Sequence, residues 1–143
     1  MMKTLLVIDS SVFVSAFREV EEKHKECKKL FEMIVEREYI SVEPYSVLIE
    51  VSAAIKRRTG DKIFAHEVGK GLAEISSIHF FEIVKSRAEK ASSIAIEVGL
   101  KGMDAIVVQI AEEMGAFLVS LDVEMMEKAK SIVTVKSVME LIL

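Results

Sequence analysis

The sequence predicts an α/β protein in which a mainly parallel central sheet of four to five strands lies between two layers of helices. Two observations carry that prediction. Short, nearly uninterrupted aliphatic runs, such as Leu5-Leu6-Val7-Ile8, suit strands covered on both faces. Between these runs apolar residues recur at helical spacing, so strands alternate with amphipathic helices as they do in crossover-connected parallel sheets. The 143 residues are expected to form one domain, 1–143, with a single core.

The elements follow in order. Residues 3–8 make the first strand, closed by Asp9 and two serines that suit a helix start. Residues 12–17 make a short helix, and 22–37 a longer one with Cys27, Leu30, Phe31 and Ile34 on one face. A second strand is expected at 39–42. Pro44 suits the first position of the next helix, where its missing N–H is no loss; that helix turns Val47, Val51, Ala54 and Ile55 to one side, runs to Arg58 and ends near Gly60. Residues 61–76 read as an amphipathic helix loosened by Gly69 and Gly71, followed by a third strand at 78–84. Two helices then run in succession, 87–98 stopped by Gly99 and 103–114 stopped by Gly115. A fourth strand at 116–121, a helix at 123–130, a fifth strand at 132–135 and a helix at 137–143 complete the chain.

Composition narrows the function classes. Hydrophobic residues make up 51% and charged residues 29%, which excludes a disordered chain. The apolar opening, residues 5–17, is interrupted by Asp9 and serines, so it is too short and polar to span a bilayer and reads as mature structure rather than a signal peptide. The single cysteine, Cys27, forms no internal disulfide, which fits a reducing cytoplasm. His24, His66 and His79 lack zinc-site spacing. The absence of asparagine, the lone Gln109 and the abundance of Lys and Glu resemble thermophile composition, though eight methionines run against it. A net charge of −4 gives no overall attraction to nucleic acid, so any such site must be local.

The chemistry points to four acids. Asp9 follows the first strand and Asp122 the fourth, so both belong at the carboxyl edge of a parallel sheet, where ligands bind near the reversal of strand order. Asp104 opens the helix that leads into the fourth strand, and its amino end points to the same edge. Capping alone accounts equally for these three, because Asp is a favoured N-cap. It does not account for Glu50, which lies inside the helix after Pro44, about 40° from Ala54 and bordering the apolar stripe. A carboxylate held there is costly unless it is paired or binds metal.

The segments Val7-Ile8-Asp9-Ser10-Ser11-Val12, Leu48-Ile49-Glu50-Val51, Leu100-Lys101-Gly102-Met103-Asp104-Ala105 and Leu118-Val119-Ser120-Leu121-Asp122 resemble, in order, the four motifs of PIN-domain ribonucleases. The resemblance spans nearly the whole chain and is greatest to the toxins of VapBC-type toxin–antitoxin pairs. It implies a PIN-like fold and an endoribonuclease dependent on Mg²⁺ or Mn²⁺. Asp9, Glu50, Asp104 and Asp122 would be the catalytic, metal-site acids, with Ser11 and Ser120 as polar supports; turn or cap hydroxyls explain those serines equally well. Glu124 stands near the last motif at an offset that leaves it outside the site.

Lys56, Arg57, Arg58 and Lys101 are candidates for holding RNA phosphates, although Lys56-Arg57-Arg58 also reads as an ordinary solvated helix end. Phe80 and Phe81 are expected in the core rather than stacked on bases. The resemblance further implies a homodimer and a small antitoxin partner, for which Ile49, Phe64 and Leu72, left over once the core stripes are assigned, would supply apolar surface. The alternative is a PIN-like domain that only binds or scaffolds. A receiver-like phosphorylation domain would need paired acids after the first strand, and a haloacid-dehalogenase-type phosphatase would need an Asp where Ser11 stands. No G-x-G-x-x-G follows the first strand, which argues against dinucleotide binding.

Overall fold

A computed structural model describes residues 3–143. The order of elements is β1 (Leu5–Ile8), α1 (Ser10–Phe17), α2 (His24–Val35), β2 (Ile40–Pro44), α3 (Tyr45–Thr59), α4 (Lys62–Glu74), β3 (Ile78–Phe81), α5 (Lys85–Val98), α6 (Gly102–Met114), β4 (Phe117–Val119), α7 (Val123–Ala129) and α8 (Val138–Ile142). The four strands are parallel in the order β3-β2-β1-β4. The chain therefore builds the sheet outward from β1 through β3, then returns to place β4 on the other side. The reversal point lies between β1 and β4.

Most elements form where local chemistry directs. β1 is aliphatic and all but closed to solvent, with Leu6, Val7 and Ile8 buried. α2 buries Cys27, Leu30 and Ile34 at helical spacing, while Phe31 meets Phe13 and Phe17 edge-on. α5 and α6 end at Gly99 and Gly115, both at positive φ as a left-handed C-terminal residue requires. α4 runs unbroken through Gly69. A Cβ there would lie 2.7 Å from Ser52 Oγ, so the glycine lets α4 lie close against α3.

Several boundaries differ from the sequence reading, each for a tertiary reason. Pro44 is the last residue of β2, paired with Phe81 and extended at φ −73 and ψ 150, so it precedes α3 as its cap position instead of starting it. β3 stops at Phe81 because its ladder partner, β2, stops at Pro44. β4 is only three residues long; beyond it the N–H groups of Leu121 and Asp122 turn to serine hydroxyls. The expected fifth strand is not formed. Val135 makes one isolated parallel bridge to Leu118, while the N–H groups of Ile132 and Val133 turn back to Ala129 O at 2.9 and 3.0 Å. Leu72 is a core residue at 1% exposure, not spare surface, whereas Ile49 is 67% exposed. Phe80 and Phe81 are half-buried rather than enclosed; Tyr45 stacks on Phe80, and the Arg87 guanidinium lies over Phe81.

Candidate functional site

The carboxyl edge of the sheet gathers acids from four elements. Asp9 leaves β1 with its N–H on Val119 O at 2.9 Å, which fixes the start of α1 against the end of β4. Its side chain is 8% exposed and makes no capping bond to α1. Instead Oδ2 accepts from Ser11 Oγ and Ser120 Oγ, each at 2.9 Å, and among the described residues Oδ1 has no donor. The two hydroxyls also tie the neighbouring loop. Ser11 Oγ accepts from Leu121 N–H at 3.2 Å, and Ser120 Oγ accepts from Asp122 N–H at 3.0 Å. One hydrogen-bonded frame thus holds the ends of β1 and β4 and sets the Asp9 rotamer.

Asp122 is exposed and does cap α7, accepting from Met125 N–H at 3.1 Å. Asp104 is the third residue of α6, whose cap position is Lys101, so the capping explanation does not apply to it. It is half-buried, and its carboxyl titrates above its ordinary range because of burial, then repulsion from Asp9 and Asp122; Lys101 and Lys128 soften the effect. Glu50 projects from α3, roughly 8 Å along the helix from Tyr45 at its start. Burial, and then Asp9 and Asp104, raise its proton affinity, against a smaller opposing effect from Arg57. Glu50 and Asp104 therefore both feel the charge of Asp9, Glu50 that of Asp104 as well, and Asp104 that of Asp122. Among the described residues none of them forms a salt bridge, and no three acids converge within common reach of a single ion.

Other residues singled out from the sequence divide. Of the basic run on α3, Arg57 is the one close enough to influence Glu50. Arg58 pairs with Glu21 at 2.8 Å, and Lys56 lines a groove between α3 and α4 with Lys62, His66 and Lys70. Glu124 is paired with Lys128 at 2.9 Å.

One acid beside the site escaped the sequence reading. Glu43, inside β2, is 0% exposed and accepts Ile8 N–H at Oε2, at 2.8 Å. Burial drives its carboxyl far above the ordinary range, and Asp9 adds to the shift. The available signal was an acid two residues after Ser41 in an otherwise apolar strand, which puts both on one face.

Residues 6–131 match the PIN domain family. This chain belongs to that family. Solved structures similar to this PIN domain include the VapC20 toxin of Mycobacterium tuberculosis, described as cleaving the sarcin–ricin loop. It is 16% identical with a TM-score of 0.75, over 92% of this chain and 98% of that one. The PAE2754 protein of Pyrobaculum aerophilum is 24% identical with a TM-score of 0.68, over 99% and 96% respectively. The DNA-bound VapBC of Salmonella typhimurium is 13% identical with a TM-score of 0.70, over 96% and 99%. At these identities the likeness is one of fold. No curated protein matches the chain in sequence. No helix of this PIN domain, among the described residues, is long and apolar enough to cross a membrane.

Proposed function

We propose that this PIN domain is a divalent-metal-dependent endoribonuclease and serves as the toxin of a toxin–antitoxin pair. The observation that carries the reading is the cluster itself: acids from four separate elements lie at the sheet edge where strand order reverses, none of them in a salt bridge among the described residues, and two of them are held above their ordinary proton affinity by burial and nearby acidic charge. Acids in that position disfavour the ionised fold unless a cation offsets them.

The donor set fits Mg²⁺ or Mn²⁺. Every candidate ligand is a carboxylate oxygen, and Mg²⁺ usually binds through one or two carboxylates while waters and substrate phosphate complete its shell. Such a shell does not require three acids to converge on the ion. Asp9, Glu50, Asp104 and Asp122 would hold it by a mixture of direct and water-mediated contacts, with Asp9 Oδ1 accepting no hydrogen bond among the described residues. When bound, the ion supplies charge neutralisation for the phosphodiester and a water of lowered pKa. Ser11 and Ser120 keep Asp9 in one rotamer. Lys101 and Arg57 flank the acids and offer charge to the phosphates of an extended RNA, with Lys56 and Arg58 further along α3.

An antitoxin and a second copy of the chain are the expected partners, in a cytoplasmic setting. Ile49 offers exposed apolar surface, and Phe17, Phe31, Val35 and Phe64 line an apolar groove between α1, α2 and α4 that suits a partner segment. A basic side chain from such a partner, placed among the acids, would compete with the ion.

The test is cleavage of a panel of structured RNAs with Mg²⁺, Mn²⁺ or EDTA. Wild-type protein should cleave only with metal, and folded Asp104→Asn should not cleave. Cleavage in EDTA, or wild-type rates from Asp104→Asn, would refute the assignment. Light scattering at micromolar concentration and pull-down from the native host test the dimer and the antitoxin; a monomer sinks the first, and no stoichiometric small partner sinks the second.

A further inference from the structure

Glu43 is a fully buried ionisable side chain, and nothing in the proposed chemistry uses it directly. Its surroundings explain its presence. β1 and β2 pair only at Leu5 with Ile40 and Leu6 with Ser41, although β1 runs on to Ile8 and β2 to Pro44. On its other side β1 stays paired with β4 through Ile8 and Val119. The sheet therefore opens between β1 and β2 just before Asp9. Ile8 is buried, and its N–H points into that opening with no backbone acceptor.

The Glu43 carboxyl fills the gap. Oε2 accepts Ile8 N–H at 2.8 Å and also the Ser41 hydroxyl, while Oε1 is buried without a partner. A half-satisfied buried carboxyl is expensive, and an aliphatic side chain would occupy the position at less desolvation cost. An aliphatic side chain would also strand the Ile8 N–H one residue before Asp9.

We infer that Glu43 is a positioning residue for Asp9: it replaces the missing ladder bond at the end of β1 and fixes the backbone from which the Asp9 carboxylate reaches the cluster. The clamp is two-sided, because Asp9 N–H is held from the opposite direction by Val119 O. Glu43 touches neither ion nor substrate. Its role toward the metal rests on the function proposed above, whereas its role on the backbone does not, so two readouts separate them.

The first readout is hydrogen exchange at the Ile8 amide in EDTA; the second is Mn²⁺ affinity by titration calorimetry. In Glu43→Leu the Ile8 amide should exchange at least tenfold faster while core amides of α6 are unchanged, and Mn²⁺ should bind roughly 10–100-fold more weakly, as for loss of an outer-shell support. Glu43→Gln keeps an acceptor oxygen and should restore both to within about threefold of wild type, a rescue that mere space-filling does not predict. If Glu43→Leu does not fold, Ser41→Ala carries the test, since losing the hydroxyl should free the carboxyl and speed Ile8 exchange severalfold. Unchanged Ile8 exchange in Glu43→Leu, or in Ser41→Ala where that variant decides, overturns the inference. Faster Ile8 exchange with unchanged Mn²⁺ affinity overturns the positioning of Asp9. Should wild-type protein bind no Mn²⁺, the metal reading fails, and the exchange arm still decides the backbone clamp.

Discussion

Replacing Ser120 by alanine removes one oxygen and should affect two acids at once. The hydroxyl is buried, donates to Asp9 Oδ2 at 2.9 Å and accepts from Asp122 N–H at 3.0 Å. A hydrogen bond to an ionised acceptor contributes about 1.5–3 kcal/mol, and the part-buried Asp122 N–H loses its acceptor as well. Ser11 still holds Asp9 Oδ2 at 2.9 Å, which keeps the expected loss near the lower part of that range, about 2 kcal/mol. For a chain of this length about 4 °C of melting temperature corresponds to each kcal/mol, so Ser120→Ala should melt about 6–8 °C below wild type. With one of its two donors gone, Asp9 gains rotamer freedom, and Mn²⁺ affinity should fall about 10-fold, the low end for an outer-shell support. The double variant Ser11→Ala/Ser120→Ala should lose more than the sum of the single losses, because only then does Oδ2 lack any donor. Differential scanning calorimetry in EDTA and Mn²⁺ titration measure these quantities. A Ser120→Ala protein that melts within 1 °C of wild type and binds Mn²⁺ equally well would refute the idea that the hydroxyl frame organises the site.

Glu50→Gln should raise the melting temperature in EDTA, because it removes a half-buried charge repelled by Asp9 and Asp104; a clear decrease would mark Glu50 as a structural ion-pair partner instead. Stability should also depend on pH in a definite direction. Glu43, Glu50 and Asp104 all bind their protons more tightly folded than unfolded, so in EDTA their contribution is fully present below about pH 4 and is lost as pH rises through their raised values. Glu113 acts oppositely, since Arg87 and Gln109 hold it down to about 2, and its contribution disappears as pH falls toward that value. Urea melts in EDTA should therefore show stability rising as pH falls from 8 toward about 4.5, just above the unfolded carboxylate values; a fall in stability over that range would contradict the raised proton affinities. Cys27, buried with its thiol pushed up to about 11, should resist thiol-modifying reagents at pH 7.5 until the protein is unfolded, and rapid labelling of the native protein would contradict its burial.

Much of this PIN domain was legible because its signals are local. Helical periodicity, glycines at the ends of α5 and α6, and unbroken aliphatic runs depend on neighbours along the chain, and they yielded the fold class and the succession of elements. Asp9, Asp104 and Asp122 stand out in the sequence as candidates because strand ends of a parallel sheet share one edge, and Glu50 because a charge borders an apolar stripe. What pairs with what was decided only in three dimensions. The run at 132–135 has strand composition, yet three-residue β4 offers it a single bridge, so sheet membership depends on the partner's length. Leu72 seemed spare on its own helix, yet it is a core residue in the folded chain. Capping could not be set aside for Asp9 or Asp104 until the observed bonds showed two serine hydroxyls on Asp9 and placed Asp104 inside the first turn of α6. Glu43 shows the limit most clearly. Its importance comes from a gap between β1 and β2, and a gap between strands is a property of pairing that no single segment of sequence contains.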